Sequence, residues 1–257
     1  MNKNTEMLAE WMNAKFYIST YRPVPIDEYL VYENAIYPAA TSRQLLQTAS
    51  KLTASSSNSS LHDSVPPLRI IDPSAFKELS NTATNSMVAL AVDTAIAGYG
   101  ALVFCGSRQA CQIQAATISE AMPALSPETD EMSKRLDLVA ELRSLACGLD
   151  PVLEKIIPKG AGFHRQSLPQ TAYLSAHFPF DTDTSSDAGM TTEERELIAQ
   201  AYDQGILRVL VATCSLAAGV NLPARRVIIN GARMGRELVG PAMLYVYFPK
   251  GLSEYWS

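Results

Sequence analysis

Three short apolar runs constrain this chain more than any other feature: ALVFC at 101–105, RVLVATC at 208–214 and RVIIN at 226–230. None alternates polar with apolar residues, so each reads as a strand buried on both faces. A fourth, GAGFH at 160–164, fits a shorter strand. Helical patterns lie between and before them. Apolar periodicity runs over 85–97 and stops near Gly98 and Gly100. Ser107 can cap a helix that continues to Met122 and is closed by Pro123. In SPETDEMSKRLDLVAELRSLA (126–146), Ser126 stands as N-cap, Pro127 as the first helical residue, and acids follow in the first turn. Thr191 and Glu194 form a capping box for a helix that ends at Gly205. Strands alternating with helices predict a parallel sheet covered on both faces, an α/β fold. With 47% of its residues hydrophobic, the chain has the side chains to fill such a core.

The remainder is read segment by segment. Residues 1–14 look like the end of a helix and KFYIST (15–20) like a strand. Pro23 and Pro25 push their predecessors into extended geometry, and YLVYENAIY can form a small hairpin. Residues 42–54 are a helix candidate, and the polar SSSNSSLHDSVPP (55–67) a flexible excursion. The net charge of −5 argues against a dedicated basic tail for nucleic acid but leaves room for a local basic patch. Four cysteines without CxxC spacing predict reduced, mostly buried thiols, not a disulfide frame or a zinc site. No apolar run approaches the ~18 residues of a membrane span, and no secretory signal is expected at the N-terminus.

The stretch LRVLVATCSLAAGVNLPARRVIING (207–231) carries the functional signal. In parallel sheets, ligands bind beyond the carboxyl ends of the strands. Thr213, Cys214 and Ser215 stand there, just before a helix could begin at Leu216, and free N–H groups and hydroxyls suit a phosphate. Gly219 permits backbone that other residues resist, and Pro223 ends any helix. A plain strand–helix–strand connection with a glycine cap accounts for the same residues about as well.

VATCSLAAGVNLPARRVIING resembles motif V of superfamily 2 helicases, in the branch that contains the helicase domain of DNA polymerase theta and related repair helicases. GALVFCGSRQACQ (100–112) is similar to motif IV, AGMTTEERELIAQAYDQGILRVLVAT to the stretch leading into motif V, and EWMNAKFYISTYRPVPIDEYLVYENAIY to the passage between the two motor domains. The resemblance implies the second RecA-like domain of an ATP-dependent DNA helicase, a three-layer α/β fold preceded by an extended crossover. Residues 1–41 would be that crossover, 42–80 a linker or low-complexity insertion, 81–244 the motor domain with an insert at 165–187, and 245–257 an aberrant tail. Carried over by position, Thr213 would contact the DNA backbone with Ser215 near it, and Ser107 and Arg108 would contact the phosphate track. Gly219 and Asn221 would couple the DNA to the nucleotide cleft. His164 would start the family's FHHAG element. ATP and Mg²⁺ are implied as cofactors that also need the first motor domain; the implied partners are that domain and single-stranded or partly duplex DNA, with no membrane, in the nucleus, in DNA repair.

Several of these residues also have simpler roles: Arg108 as a helix-end charge, His164 as a structural histidine, Arg225 and Arg226 as a solvated face, Cys214 as packing. The sequence also departs from the family. G-x-x-x-x-G-K-[ST] is absent, as is any Gly-Lys pair. DEYL (27–30) mimics a DExx string but does not follow a buried strand, and GYG (98–100) precedes a strand where a dinucleotide fingerprint follows one. After Leu244 the family's arginine-rich motif VI is replaced by YVYFPKGLSEYWS, and no arginine follows Arg236. Between GFH and AGMTTEER lies RQSLPQTAYLSAHFPFDTDTSSD, expected to be a surface loop. The insert and tail are expected to be gene-model artefacts, such as retained introns or a wrong exon, with a diverged loop and a natural truncation as the alternative; uninterrupted transcript reads encoding both would overturn the first. A non-enzymatic DNA- or protein-binding module derived from a helicase is the competing reading, and an unrelated nucleotide-binding α/β enzyme a third.

Overall fold

The computed structural model describes residues 3–15, 27, 29–38, 66–74, 76–146, 148–165, 190–213 and 222–231, with strand pieces at 233–234 and 237–238. Along the chain, helix α1 (Lys3–Trp11) is followed by a hairpin of β1 (Tyr29–Tyr32) and β2 (Ala35–Pro38). Glu33 and Asn34 turn it with φ of 47° and 60°, the left-handed pair of a tight hairpin turn. Strand β3 (Arg69–Ile70) pairs antiparallel with β2. Asn34 then ties this small sheet to helix α2 (Thr82–Ile96): its Oδ1 accepts from Asn85 Nδ2 and Ser86 Oγ, each at 3.0 Å. Helix α2 starts three residues before the apolar pattern predicts, because Asn81 caps it by accepting from the N–H groups of Ala83 and Thr84.

The main sheet contains β4 (Ala101–Cys105), β5 (Ala161–His164), β6 (Val209–Thr213) and β7 (Arg226–Asn230). Its spatial order is β5–β6–β4–β7, all parallel. Helix α2 packs on β4 and β7, and α3 (Arg108–Ala121) on β5 and β6. Helices α4 (Asp130–Ser144) and α5 (Pro151–Ile156) complete the connection to β5, and α6 (Thr192–Asp203) packs against β5. The α/β expectation holds: β4 and β6 are buried almost throughout, and Phe163, Ile118, Leu142, Leu153 and Ile198 are fully enclosed. The capping box at Thr191 and Glu194 forms with both reciprocal bonds, and Gly205 follows at φ 72°.

One predicted start is displaced. Helix α4 begins at Asp130 with Thr129 as N-cap, not at Pro127 with Ser126. The carbonyl of Ser126 accepts from the N–H and hydroxyl of Thr129, so 126–129 form a turn ahead of the helix. Helix α5 was not expected; Asp150 caps it and Pro151 opens it. The strand expected at 15–20, the helix at 42–54, nearly all of the excursion at 55–67, the insert beyond Arg165 and the tail lie outside the described residues.

Candidate nucleic-acid interface

Parallel register aligns the carboxyl ends of the strands. Cys105 of β4 stands opposite Thr213 of β6 on one side and Asn230 of β7 on the other, while His164 of β5 pairs with Ala212. Side chains alternate across a sheet, so Thr213, Cys105 and Asn230 project to one face and His164 to the other. Helix α3 lies on the Thr213 face. Its Cys111 thiol hydrogen-bonds the Cys105 thiol, which holds Cys105 below its ordinary pKa against the opposing effect of burial. Both thiols are buried and neither is in a disulfide.

Ser107 and Arg108 thus start a helix above the edge where Thr213 ends its strand. Ser107 is exposed, and its hydroxyl accepts from the Ala110 N–H at 3.1 Å. It therefore serves as N-cap, and its own O–H stays available to donate outward. Arg108, half-buried, is the first helical residue. The first turn of a fourteen-residue helix leaves N–H groups without intrahelical partners and carries positive dipole character. Thr213 is half-buried at the strand end. Ser215, Gly219 and Asn221, the other residues singled out from the sequence, lie outside the described residues, as do Cys147 and Cys214.

A polar network missed in the sequence adjoins this edge. Asp150 accepts from three donors. Its Oδ1 takes the Val152 N–H at 2.7 Å, and its Oδ2 takes Gln112 Nε2 and Arg165 Nη2, each at 3.2 Å. Arg165, placed in the insert from sequence, is 5% exposed, with its guanidinium 5.0 Å from the centre of the Phe163 ring. Asp150 therefore ties the exit of β5, the start of α5 and the second turn of α3 together. The only local signal for it is an Asp-Pro pair; its two long-range partners are 15 and 38 residues away.

His164 has a different environment. It is 5% exposed, and among the described residues its Nδ1 has no hydrogen-bond partner. Burial, with the Arg195 charge adding to it, pushes its pKa down to about 4. The imidazole is therefore neutral in the folded chain at neutral pH. A free histidine titrates near 6.5, so between that value and about 4 the unfolded state binds more protons than the folded one. Stability is full above about pH 6.5 and falls as the pH drops towards 4, by on the order of 3 kcal/mol. Urea unfolding at a series of pH values, with His164→Asn beside the parent, checks this: the variant is expected to lack that part of the slope, and parallel curves would refute the assignment. Arg226 sits at the opposite edge, where its Nη1 donates to the Leu90 carbonyl and Thr94 Oγ1, both at 2.8 Å. Arg225, over the Tyr99 ring, is at that edge too.

Among the described residues no group of three or more His, Cys, Asp or Glu is placed to hold a metal ion, and no helix is long and apolar enough to cross a membrane. No protein-family model matches the chain. Curated relatives do. The chain is 30% identical to Helicase POLQ-like of Homo sapiens over 92% of its length and 18% of that protein. It is 28% identical to DNA polymerase theta of Drosophila melanogaster over 93% of this chain and 10% of that one. It is 30% identical to the ATP-dependent DNA helicase Hel308 of Caldivirga maquilingensis over 90% of this chain and 23% of the relative. It therefore spans less than a quarter of each of these three relatives.

Proposed function

We propose a function from the premise that this chain is a helicase-type domain homologous to the POLQ-like, polymerase theta and Hel308 proteins: it is the second motor domain of an ATP-dependent DNA helicase of that type, acting in nuclear DNA repair. It grips the backbone of single-stranded or partly duplex DNA along the carboxyl edge of its sheet. Ser107, Arg108, Thr213 and Ser215 make the contacts, and Gly219 and Asn221 relay them to a nucleotide cleft shared with a first motor domain. One observation supports the reading above the others: the ends of β4 and β6 are neighbours in register, so the helix opened by Ser107 and Arg108 starts beside Thr213. A backbone phosphate there would meet a hydroxyl from each element, a guanidinium and helix N–H groups.

ATP and Mg²⁺ enter only with the first domain. The described residues do not fit them alone, since they bring no acid cluster together, and no step of hydrolysis is assigned to this chain. Its own part is to hold phosphates in register without reading bases. Binding by the lone chain is therefore expected to be weak, insensitive to sequence and strongly salt-dependent. Thr213→Ala is expected to weaken it on all sequences alike, by ~0.5–1.5 kcal/mol. Arg108→Ala is expected to do the same and to flatten the salt slope by about one. Fluorescence anisotropy of single-stranded oligonucleotides across a salt series measures both, with circular dichroism as the control for folding. If both folded variants bind like the parent, the backbone assignment is wrong and a partner-binding module derived from a helicase takes its place.

A further inference from the structure

The Asp150 network bears on the same edge, and the inference drawn from it rests on the DNA-backbone reading above. Gln112 follows Arg108 by four residues in α3, which puts the two on one face of the helix, a turn apart. The Gln112 amide is held by Asp150 Oδ2, and that same oxygen takes Arg165 at the exit of β5. On its other side α3 is joined to β4 through Cys111 and Cys105. The first turns of α3 are thus fixed against two strands that flank β6. A phosphate contact shared between Arg108 and Thr213 needs that spacing, because Arg108 rides on the helix and Thr213 on the strand between.

We propose that Gln112, anchored by Asp150, is a positioning residue for DNA binding: it sets where Arg108 sits relative to Thr213 without touching DNA itself. The alternative for Gln112 is simple support of the helix. The two roles separate in a double-mutant cycle. A residue that acts through Arg108 has nothing left to act on once Arg108 is gone, whereas a supporting residue weakens binding in either background.

The experiment measures single-stranded DNA binding of the full 257-residue chain by anisotropy. Four forms are compared: parent, Gln112→Met, Arg108→Ala and the double variant, with thermal unfolding beside each. Methionine keeps the length of the side chain and removes the donor. Gln112→Ala, which leaves space rather than filling it, repeats the test if methionine disturbs the helix. Gln112→Met is expected to weaken binding about threefold to tenfold, the range of one net hydrogen bond. In the Arg108→Ala background its effect is expected to vanish to within about twofold. An equal loss in both backgrounds, or no loss from folded Gln112→Met while Arg108→Ala does weaken binding, overturns the positioning role and leaves the backbone reading standing. No loss from Arg108→Ala overturns the backbone reading, and the positioning role with it.

Discussion

Purified and supplied with single-stranded DNA, this chain is expected to hydrolyse ATP no faster than a buffer blank. The reason lies in which parts of a phosphoryl-transfer site the sequence contains. Catalysis of this kind is almost entirely positioning and charge stabilisation. A lysine in a glycine-rich loop cradles the phosphates, an acid holds Mg²⁺, and arginines meet the charge of the transition state. No Gly-Lys pair occurs anywhere in the 257 residues, and no arginine follows Arg236. Removal of an arginine finger alone lowers kcat by ~10³–10⁵; here the phosphate loop is missing as well. The measurement is a coupled ATPase assay with and without DNA. DNA-stimulated turnover that follows the chain through two orthogonal purification steps and is absent from a mock preparation would show that it carries a site of its own.

Local signals account for what the sequence made legible. ALVFC and VLVAT lack alternation because β4 and β6 are covered on both faces, and the pattern reports that burial directly. RVIIN lacks it too but is not buried on both faces as expected: β7 is the last strand of the sheet order, its residues are half-buried and Ile229 is 43% exposed. The capping box at Thr191 is a contact between residues three apart, so four letters contain it. The sequence places the start of α4 too early, at Ser126, because local signals do not rank competing starts. Ser126–Pro127 and Thr129–Asp130 are both competent local starts, and only the fold selects the second. Asn85 shows the opposite case. It stood as the first residue of an apolar pattern, yet its amide donates to Asn34 Oδ1 and the Asp72 carbonyl, a tie to the small sheet 51 residues away. Of the candidate site, Ser107 and Thr213 were readable because position after a buried strand implies the sheet edge. Asp150 was not, because nothing near it announces Gln112 or Arg165. Helix α5, which it caps, has six residues and is too short to show a period.

That hidden carboxylate is where one substitution is expected to destabilise the fold strongly. Asp150→Ala removes three acceptor contacts at once: the cap on Val152, the bond to Gln112 and the ion pair with Arg165. The side chains of the ion pair are only 7% and 18% exposed, so water replaces the lost carboxylate poorly. Breaking a buried pair from one side costs ~3–5 kcal/mol, mostly the penalty of the charge left behind. The lost cap alone accounts for about 1 kcal/mol. Asp150→Asn separates the contributions, since asparagine is as good an N-cap as aspartate but brings no charge to Arg165. Alanine is therefore expected to lower stability by ~3–5 kcal/mol and asparagine by about 1 kcal/mol less. The double change Asp150→Asn with Arg165→Met, which takes away both charges, should regain part of the loss, because an apolar replacement of a buried pair is often neutral. Urea unfolding of the four proteins measures all of this. If Asp150→Ala unfolds within about 1 kcal/mol of the parent, the energy scale of a buried pair does not apply here. The exit of β5 would then be held by the packing of Arg165 on Phe163 and not by the carboxylate.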